Sequence, residues 1–164
     1  MDAYRAIVTK RDTRSFTDEP VADDVVRRVL QAGRMAGSAK NLQPCRFVVV
    51  DEPEIKEKLA ECGDFAAWIP TAPVCIAIVI PDDGREFDAG RAAQNLMVAA
   101  HAEGLASCPV TMHHKECALD VLGIPAGHRV SIVVALGHPA EQPRSAGPAA
   151  ARLPFDDYVR HNRW

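Results

Sequence analysis

Three cations lie within five residues near the start of the chain, in the segment TKRDTRSF at 9–16. Lys10, Arg11 and Arg14 alternate with Asp12 and with hydroxyl side chains, directly after a short amphipathic stretch. Guanidinium groups donate paired hydrogen bonds that match the oxygens of a phosphate. The spacing therefore indicates a local anion site, although isolated arginines more often form surface ion pairs.

Two further polar features are candidates for the same site. The segment GSAKNLQPCRF at 37–47 contains Ser38, Asn41 and Gln43, and Arg152 lies in the C-terminal region. Amide side chains both donate and accept hydrogen bonds, which suits a polar ligand. Each feature also has a structural explanation, because Asn and Pro favour loops and a tail arginine is usually solvated.

Hydrophobic periodicity predicts the elements that would position these residues. The predicted helices cover 2–10, part of 21–37, 52–62, 85–104 and 116–125, and the predicted strands cover 46–50, 74–80 and 129–137. Gly104 is predicted to end the longest helix, whose apolar positions are mostly Ala and Gly. Such small residues suit burial on several sides or packing against a symmetry mate. The alternation predicts an α/β fold with a sheet covered by helices, in a single domain over 1–164, and leaves the strand order open.

Composition and charge exclude several classes of protein. The formal net charge is -3, so no overall basic surplus indicates a nucleic-acid partner. The longest apolar run, at 74–80, is far shorter than the ~20 residues that span a bilayer. The N-terminal stretch is charged where a signal peptide would be apolar. We therefore predict a soluble, cytoplasmic protein with no nucleic-acid or membrane partner.

The five cysteines are odd in number and irregular in spacing, with no CxxC pair. This pattern argues against a disulfide framework and favours a reducing compartment. His113 and His114 lie between two of the cysteines, but adjacent side chains point in different directions on a helix or a strand. We predict no metal site there.

Taken together, the separated motifs resemble the nitroreductase family of FMN-dependent oxidoreductases. The segment KRDTRSF at 10–16, the long stretch from Pro20 to Val50, the pair Ala72-Pro73, the helix that contains FDAGRAAQN and the final Arg152-Leu153-Pro154 occur in the family's order. The resemblance covers essentially the whole chain. It implies a nitroreductase-like central mixed sheet covered by helices, with FMN at the interface of a homodimer.

The resemblance also implies which residues bind the cofactor. It assigns Arg11, Arg14 and Arg152 to the FMN phosphate and nearby ribityl oxygens, with Thr13 as a further donor. Asp12 would repel a phosphate, so its implied role is to orient an arginine or to accept from ribityl hydroxyls.

The remaining implied contacts surround the flavin ring. The polar contacts are Ser38, Asn41 and Gln43, some of them from the neighbouring subunit. The segment SCPVTM at 107–112 matches the one that passes the reactive edge of the ring, and its candidate residues are Pro109, Val110, Thr111 and Met112.

The implied activity is ping-pong hydride transfer from NADH or NADPH, through flavin N5, to a nitroaromatic, quinone or flavin acceptor. The cofactor supplies the reactivity, so no catalytic side chain and no metal is nominated. The short chain predicts an open acceptor pocket, and Cys45 stands where an aromatic residue usually follows Gln-Pro. The alternatives are a flavin-fragmenting or dehalogenating branch of the same fold, or a non-catalytic FMN carrier or sensor.

Overall fold

The computed structural model describes residues 1–141 and 152–164. Its helices are α1 (Ala3–Thr9), α2 (Asp23–Arg34), α3 (Pro53–Glu61), α4 (Glu86–Ala102), α5 (Lys115–Leu122) and α6 (Phe155–Tyr158). Its strands are β1 (Arg46–Val50), β2 (Val74–Pro81), β3 (Ala106–Val110) and β4 (His128–Gly137). None of the helices in these two ranges is long and apolar enough to cross a bilayer.

The four strands form one sheet in the order β1-β2-β4-β3, with every neighbouring pair antiparallel. Side chains alternate between the two faces of the central strand β2. On one face Ala77 belongs to a core with Leu59 of α3 and Ala118 of α5, and on the other Ile76 belongs to a core with Leu96 of α4. Both faces are therefore covered by helices, which confirms the predicted fold class.

The predicted element boundaries hold best where local chemistry sets them. β1 occupies the predicted residues 46–50, and α4 ends just before Gly104, whose φ of 85° is in the left-handed region. β3 is absent from the predicted strands because it contains Pro109, and proline disfavours an interior strand. The structure tolerates Pro109 because β3 is an outer strand of the four-stranded sheet.

The interpretation of the cysteines was wrong in one respect. Cys62 and Cys117 form a disulfide with their Cα atoms 5.5 Å apart, although 55 residues separate them in sequence. Pairing depends on the distance between two Cα atoms in the folded chain, which irregular spacing does not reveal. The disulfide joins the C-terminal end of α3 to α5. Cys75 is a free thiol, and burial raises its pKa to about 12.

The long helix α4 is buried on one side only. Ala89, Ala92 and Leu96 face the core, whereas Phe87 is 67% exposed and a Cβ built on Gly90 would meet nothing within 4 Å. The C-terminal segment is also uncovered in the single chain. Its most exposed apolar side chains are Leu153, Phe155, Tyr158 and Trp164, each at least 65% exposed.

Lys56 anchors α3 to the segment that leads into β2. Its Nζ donates to the carbonyls of Ala72 at 2.8 Å and Pro73 at 3.3 Å, and the residue is only 6% exposed. Lys56→Ala would leave both carbonyls without this donor and remove buried methylenes. We expect the free energy of unfolding, measured by urea denaturation, to fall by about 2–4 kcal/mol.

The matched control for this substitution is Lys58→Ala, because Lys58 is exposed on the same helix. It should change the free energy of unfolding by less than about 0.5 kcal/mol. Equal effects of the two substitutions would contradict an anchoring role for Lys56.

Candidate functional site

The cationic N-terminal segment lies against the outer edge of β3. Thr13 N–H donates to the Ser107 carbonyl at 3.1 Å, beside an isolated parallel bridge between Asp12 and Ser107. Further along, Thr17 N–H donates to the His138 carbonyl at 2.9 Å. The Asp12–Ser107 bridge is parallel, whereas the strands of the sheet pair in antiparallel fashion in the described part of the chain. Together with the Thr17 hydrogen bond, it holds residues 12–17 in an extended conformation along the sheet.

An extended backbone places alternate side chains on one side. Lys10 pairs with the Asp12 carboxylate, and its Nζ lies 3.3 Å from Met97 Sδ of α4. The pKa of the buried Cys108 thiol is raised by burial and then by Asp12, against the opposing effects of Arg14 and Lys10. Lys10, Asp12 and Arg14 therefore all lie close enough to this thiol to affect its pKa.

Arg11 points elsewhere. Its guanidinium donates to the carbonyls of Val8 at 3.0 Å and Lys10 at 2.8 Å, and so covers the C-terminal end of α1. The structure thus separates Arg11 from Arg14 and brings Lys10, which was not among the assigned residues, to the side of Asp12. The two-residue alternation of an extended segment is the signal that could have found it.

The cations create a local positive potential at the end of α4. His101 Nε2 lies 2.9 Å from Thr9 Oγ1, and the pKa of His101 is lowered by partial burial and then by Lys10 and Arg11. Arg14 is exposed, and its guanidinium has no carboxylate partner in the part of the chain that the structure describes. A free guanidinium in a positive region suits an anionic ligand.

Ser107 is a further polar residue at this edge. It is 1% exposed, and its Oγ has no hydrogen-bond partner among residues 1–141 and 152–164. Buried hydroxyls are nearly always paired, so an unpaired one beside Asp12 and Thr13 fits a site that binds a hydroxyl-bearing or phosphorylated group. The spacing of residues gave no reason to assign Ser107.

The second predicted segment forms a strained polar loop. Lys40, Asn41 and Gln43 have φ values of 51°, 54° and 50°. Ser38 Oγ accepts from the Gln43 N–H at 2.8 Å, and Gln43 Nε2 donates to the Asn41 carbonyl at 3.3 Å. Left-handed conformations of residues other than glycine carry a free-energy cost and cluster at functional sites.

The two polar segments lie at different places along α4. The first contacts α4 at Met97 through Lys10, whereas a Cβ built on Gly37 would lie 2.8 Å from a guanidinium nitrogen of Arg91. Six residues of helix correspond to about 9 Å along its axis. The exposed Arg152 forms no hydrogen bond or ion pair with another described residue. Within the described chain, no hydrogen bond or ion pair joins the cationic segment, the loop at 37–43 and Arg152 to one another.

The segment after β3 is held by the turn that follows α3. A Cβ built on Gly63 would lie 2.9 Å from the Thr111 carbonyl oxygen, so the two backbones are in close contact. His114 N–H donates to the Cys62 carbonyl at 2.9 Å, and His114 Nε2 lies 3.1 Å from a carboxylate oxygen of Asp64. Thr111 is exposed between the buried Val110 and Met112, and Pro109 is half-buried.

The His113 ring completes this contact. Its Nδ1 accepts from the Asp64 N–H at 3.2 Å, and its ring lies edge-to-face with Phe65 at 5.7 Å between centroids. Together with the disulfide, these contacts fix residues 111–114 against residues 62–65. In the described part of the chain, no group of three or more His, Cys, Asp or Glu side chains could hold a metal ion.

The fold and this site define an α/β protein that presents cations and hydrogen-bond donors at the edge of a helix-covered sheet. The sequence profile of the Nitroreductase family matches residues 7–62 and 65–138. The chain therefore belongs to the nitroreductase family.

Individual relatives agree with this assignment. The chain is 29% identical over 199 residues to an NADH dehydrogenase of Thermus thermophilus, covering 97% of this chain and 95% of the relative. It is 29% identical over 183 residues to an NADPH-flavin oxidoreductase of Vibrio harveyi, covering 99% and 75%. The solved structure of NADPH:FMN oxidoreductase from Vibrio harveyi complexed with NAD+ superposes with a TM-score of 0.88 at 25% identity, covering 99% and 77%.

The disulfide should restrain the segment after β3. In Cys117→Ser, we expect amide hydrogen exchange over residues 111–117 to accelerate about tenfold, because local opening no longer works against a covalent bridge. Cys45→Ser, at a free and half-buried cysteine, is the matched control and should leave this exchange unchanged. Denatured, unreduced protein should titrate as three thiols. A titre of five thiols, with the same exchange in all forms, would contradict the bridge.

Proposed function

We propose that this protein is an FMN-dependent NAD(P)H oxidoreductase that reduces nitroaromatic, quinone or flavin acceptors in ping-pong order. The observation that carries the proposal is the cationic segment fixed on β3 beside the unpaired Ser107 hydroxyl. Family membership and the similarity to NADPH:FMN oxidoreductase of Vibrio harveyi support the same cofactor. When bound, FMN would supply the chemistry by accepting a hydride at N5 and passing it on.

The residues at the β3 edge fit the phosphate end of FMN. Arg14 and Lys10 supply positive charge, Thr13 and Ser107 supply hydroxyls, and Arg152 is the further cation proposed for the phosphate. Asp12 holds Lys10 in place and can accept from a ribityl hydroxyl. Arg11 keeps its assignment as a proposal, although in the single chain its guanidinium is occupied by backbone carbonyls.

The residues proposed for the ring have different tasks. Pro109, Val110, Thr111 and Met112 would line its reactive edge, and the contacts with the turn at 62–65 hold them in position. A backbone N–H in this segment can donate a hydrogen bond toward flavin N5. Ser38, Asn41 and Gln43 would bond to the polar edges of the ring, and the strained loop fixes their direction before binding.

We also propose that the protein is a homodimer whose two subunits share each FMN site. The cationic segment contacts α4 at Met97 and Gly37, beside the strained loop, contacts it at Arg91, two positions about 9 Å apart along the helix axis. A partner packed on the exposed face of α4 would bring its own loop to the first subunit's β3 edge. The open space beside Gly90 and the exposed apolar side chains of the C-terminal segment support such packing.

The first experiment is the visible absorption spectrum of the purified protein, with the heat-released cofactor identified by chromatography. We expect a yellow protein that carries FMN. Arg14→Ala should weaken FMN binding by about 1.5–3 kcal/mol, because it removes a charge-assisted contact to phosphate. The control Arg5→Ala removes an exposed arginine of α1 and should not change the affinity. Wild-type protein that binds no added FMN would contradict the proposal.

Turnover separates the proposed enzyme from the alternatives. Oxidation of NADH or NADPH with an added quinone should exceed the rate with free FMN. A carrier or sensor would give no excess rate, and a flavin-fragmenting protein would lose its yellow colour irreversibly under reductant and air. Either result would replace the proposed activity while leaving the cofactor site in place.

The dimer can be tested at Gly90. A Cβ at position 90 would meet nothing within 4 Å in its own chain, so Gly90→Arg should leave the fold intact, but the larger side chain would obstruct a partner on α4. We expect sedimentation velocity to show a shift from dimer to monomer, together with loss of bound FMN. Ala126→Arg, at an exposed position after α5, should remain dimeric. A wild-type monomer with bound FMN would exclude the shared site.

A further inference from the structure

The Cys62–Cys117 disulfide joins two helices that already pack together without it. Cys62 is fully buried in an apolar cluster that also contains Leu59 of α3 and Ala118 of α5. Domains that depend on disulfides are usually too small to bury a sufficient core, whereas this chain has a core cluster on each face of its sheet. In the reducing compartment predicted from the sequence, a disulfide is usually transient and redox-sensing.

The two bridged cysteines differ in their access to solvent. Cys62 is fully buried, whereas Cys117, in the first turn of α5, is half-buried and follows the exposed Glu116. Exchange between a thiol and a disulfide requires an external thiolate to reach one of the two sulfur atoms. The difference in burial therefore favours attack at Cys117 and release of Cys62.

The fold can accommodate the Cys62 thiol that this attack would release. Cys62 Sγ lies 3.4 Å from the carbonyl oxygen of Lys58, which is one turn earlier along α3. A thiol is a weak hydrogen-bond donor and packs as a small apolar side chain, so the reduced residue can donate to this carbonyl among its present neighbours. The bridge can therefore open while α3 keeps its place in the core.

Opening the bridge would weaken the attachment of residues 111–114 to the turn after α3. The Cys62 carbonyl accepts from the His114 N–H at 2.9 Å, so the residue that carries the sulfur also holds this segment. The next residue, Gly63, is in close contact with Thr111, because a Cβ built on it would lie 2.9 Å from the Thr111 carbonyl oxygen. Without the covalent bridge, hydrogen bonds and packing alone would hold the segment.

We propose that Cys117 is a site of reversible modification by a low-molecular-weight thiol, and that this reaction switches residues 111–114 between a fixed and a looser state. The external thiolate bonds to Cys117 Sγ, the Cys62–Cys117 bond breaks, and its electron pair leaves on Cys62 Sγ, which takes up a proton. A second thiol can then attack the mixed disulfide, which gives the free Cys117 thiol and the disulfide of the reagent. Thr111 and Met112 would line the flavin, so the reduced form would bind FMN less tightly, a consequence that rests on the proposed function.

The modification site is tested with a matched pair of variants of the full chain. Cys62→Ser keeps only Cys117 of the pair, and Cys117→Ser keeps only Cys62. We expect oxidised glutathione to modify Cys117 in the first variant at least about tenfold faster than Cys62 in the second, as followed by peptide mass spectrometry, because Cys62 is buried. In the wild type, reduced glutathione should open the bridge while circular dichroism stays unchanged. Equal rates in the two variants, or a bridge that opens only on unfolding, would overturn the proposal.

The switch is tested on the wild type with and without dithiothreitol. Reduction should accelerate amide hydrogen exchange over residues 111–114 but not over β2, and raise the Kd for FMN at least about threefold, because binding must then order the segment. In Cys62→Ser the reagent should change neither quantity, and Cys45→Ser should respond like the wild type. Exchange that does not respond to reduction would overturn the switch, and an unchanged Kd would overturn its control of the flavin site. Responsive exchange in a protein that binds no FMN would support the switch and contradict only the proposed function.

Discussion

The candidate site depends on the backbone pairing of residues 12–17 with the outer edge of the sheet. Thr13 bonds to Ser107, and Thr17 bonds to His138. This pairing orders a segment that is otherwise too short and too charged to have a core of its own. It also brings Lys10, Asp12 and Arg14 close to Cys108. Two cations therefore lie beside a single carboxylate, and this local excess of positive charge favours an anionic ligand.

The long helix α4 sets the distances in the rest of the molecule. Gly33 of α2 allows close contact with Leu96 of this helix, while the uncovered face of α4 carries Gly90. The cationic segment contacts this helix at Met97, and Gly37, beside the strained loop, contacts it at Arg91. A rigid helix cannot bring these places together, so cooperation between them requires a second chain or a ligand that contacts both.

The turn after α3 and the segment after β3 form a second rigid unit beside the site. The Cys62–Cys117 disulfide, the hydrogen bond from His114 and the contacts of Asp64 with both histidines all join the same two stretches. Redundant contacts of this kind hold a backbone in one position. Exposed Phe65 and His113 lie on this unit, so their directions are fixed although the side chains are open to solvent.

The sequence by itself determined the helices and strands with strong periodicity, the end of α4 at Gly104 and the membership in a family, because these follow from local patterns and ordered motifs. It also located the cationic segment and the loop at 38–43. Only the tertiary structure decided that Lys10 rather than Arg11 shares a side with Asp12, that Pro109 belongs to a strand, and that Cys62 pairs with Cys117. The reason is physical: each of these depends on which distant backbone lies alongside, and a sheet edge or a packed turn is made by residues far apart in the chain.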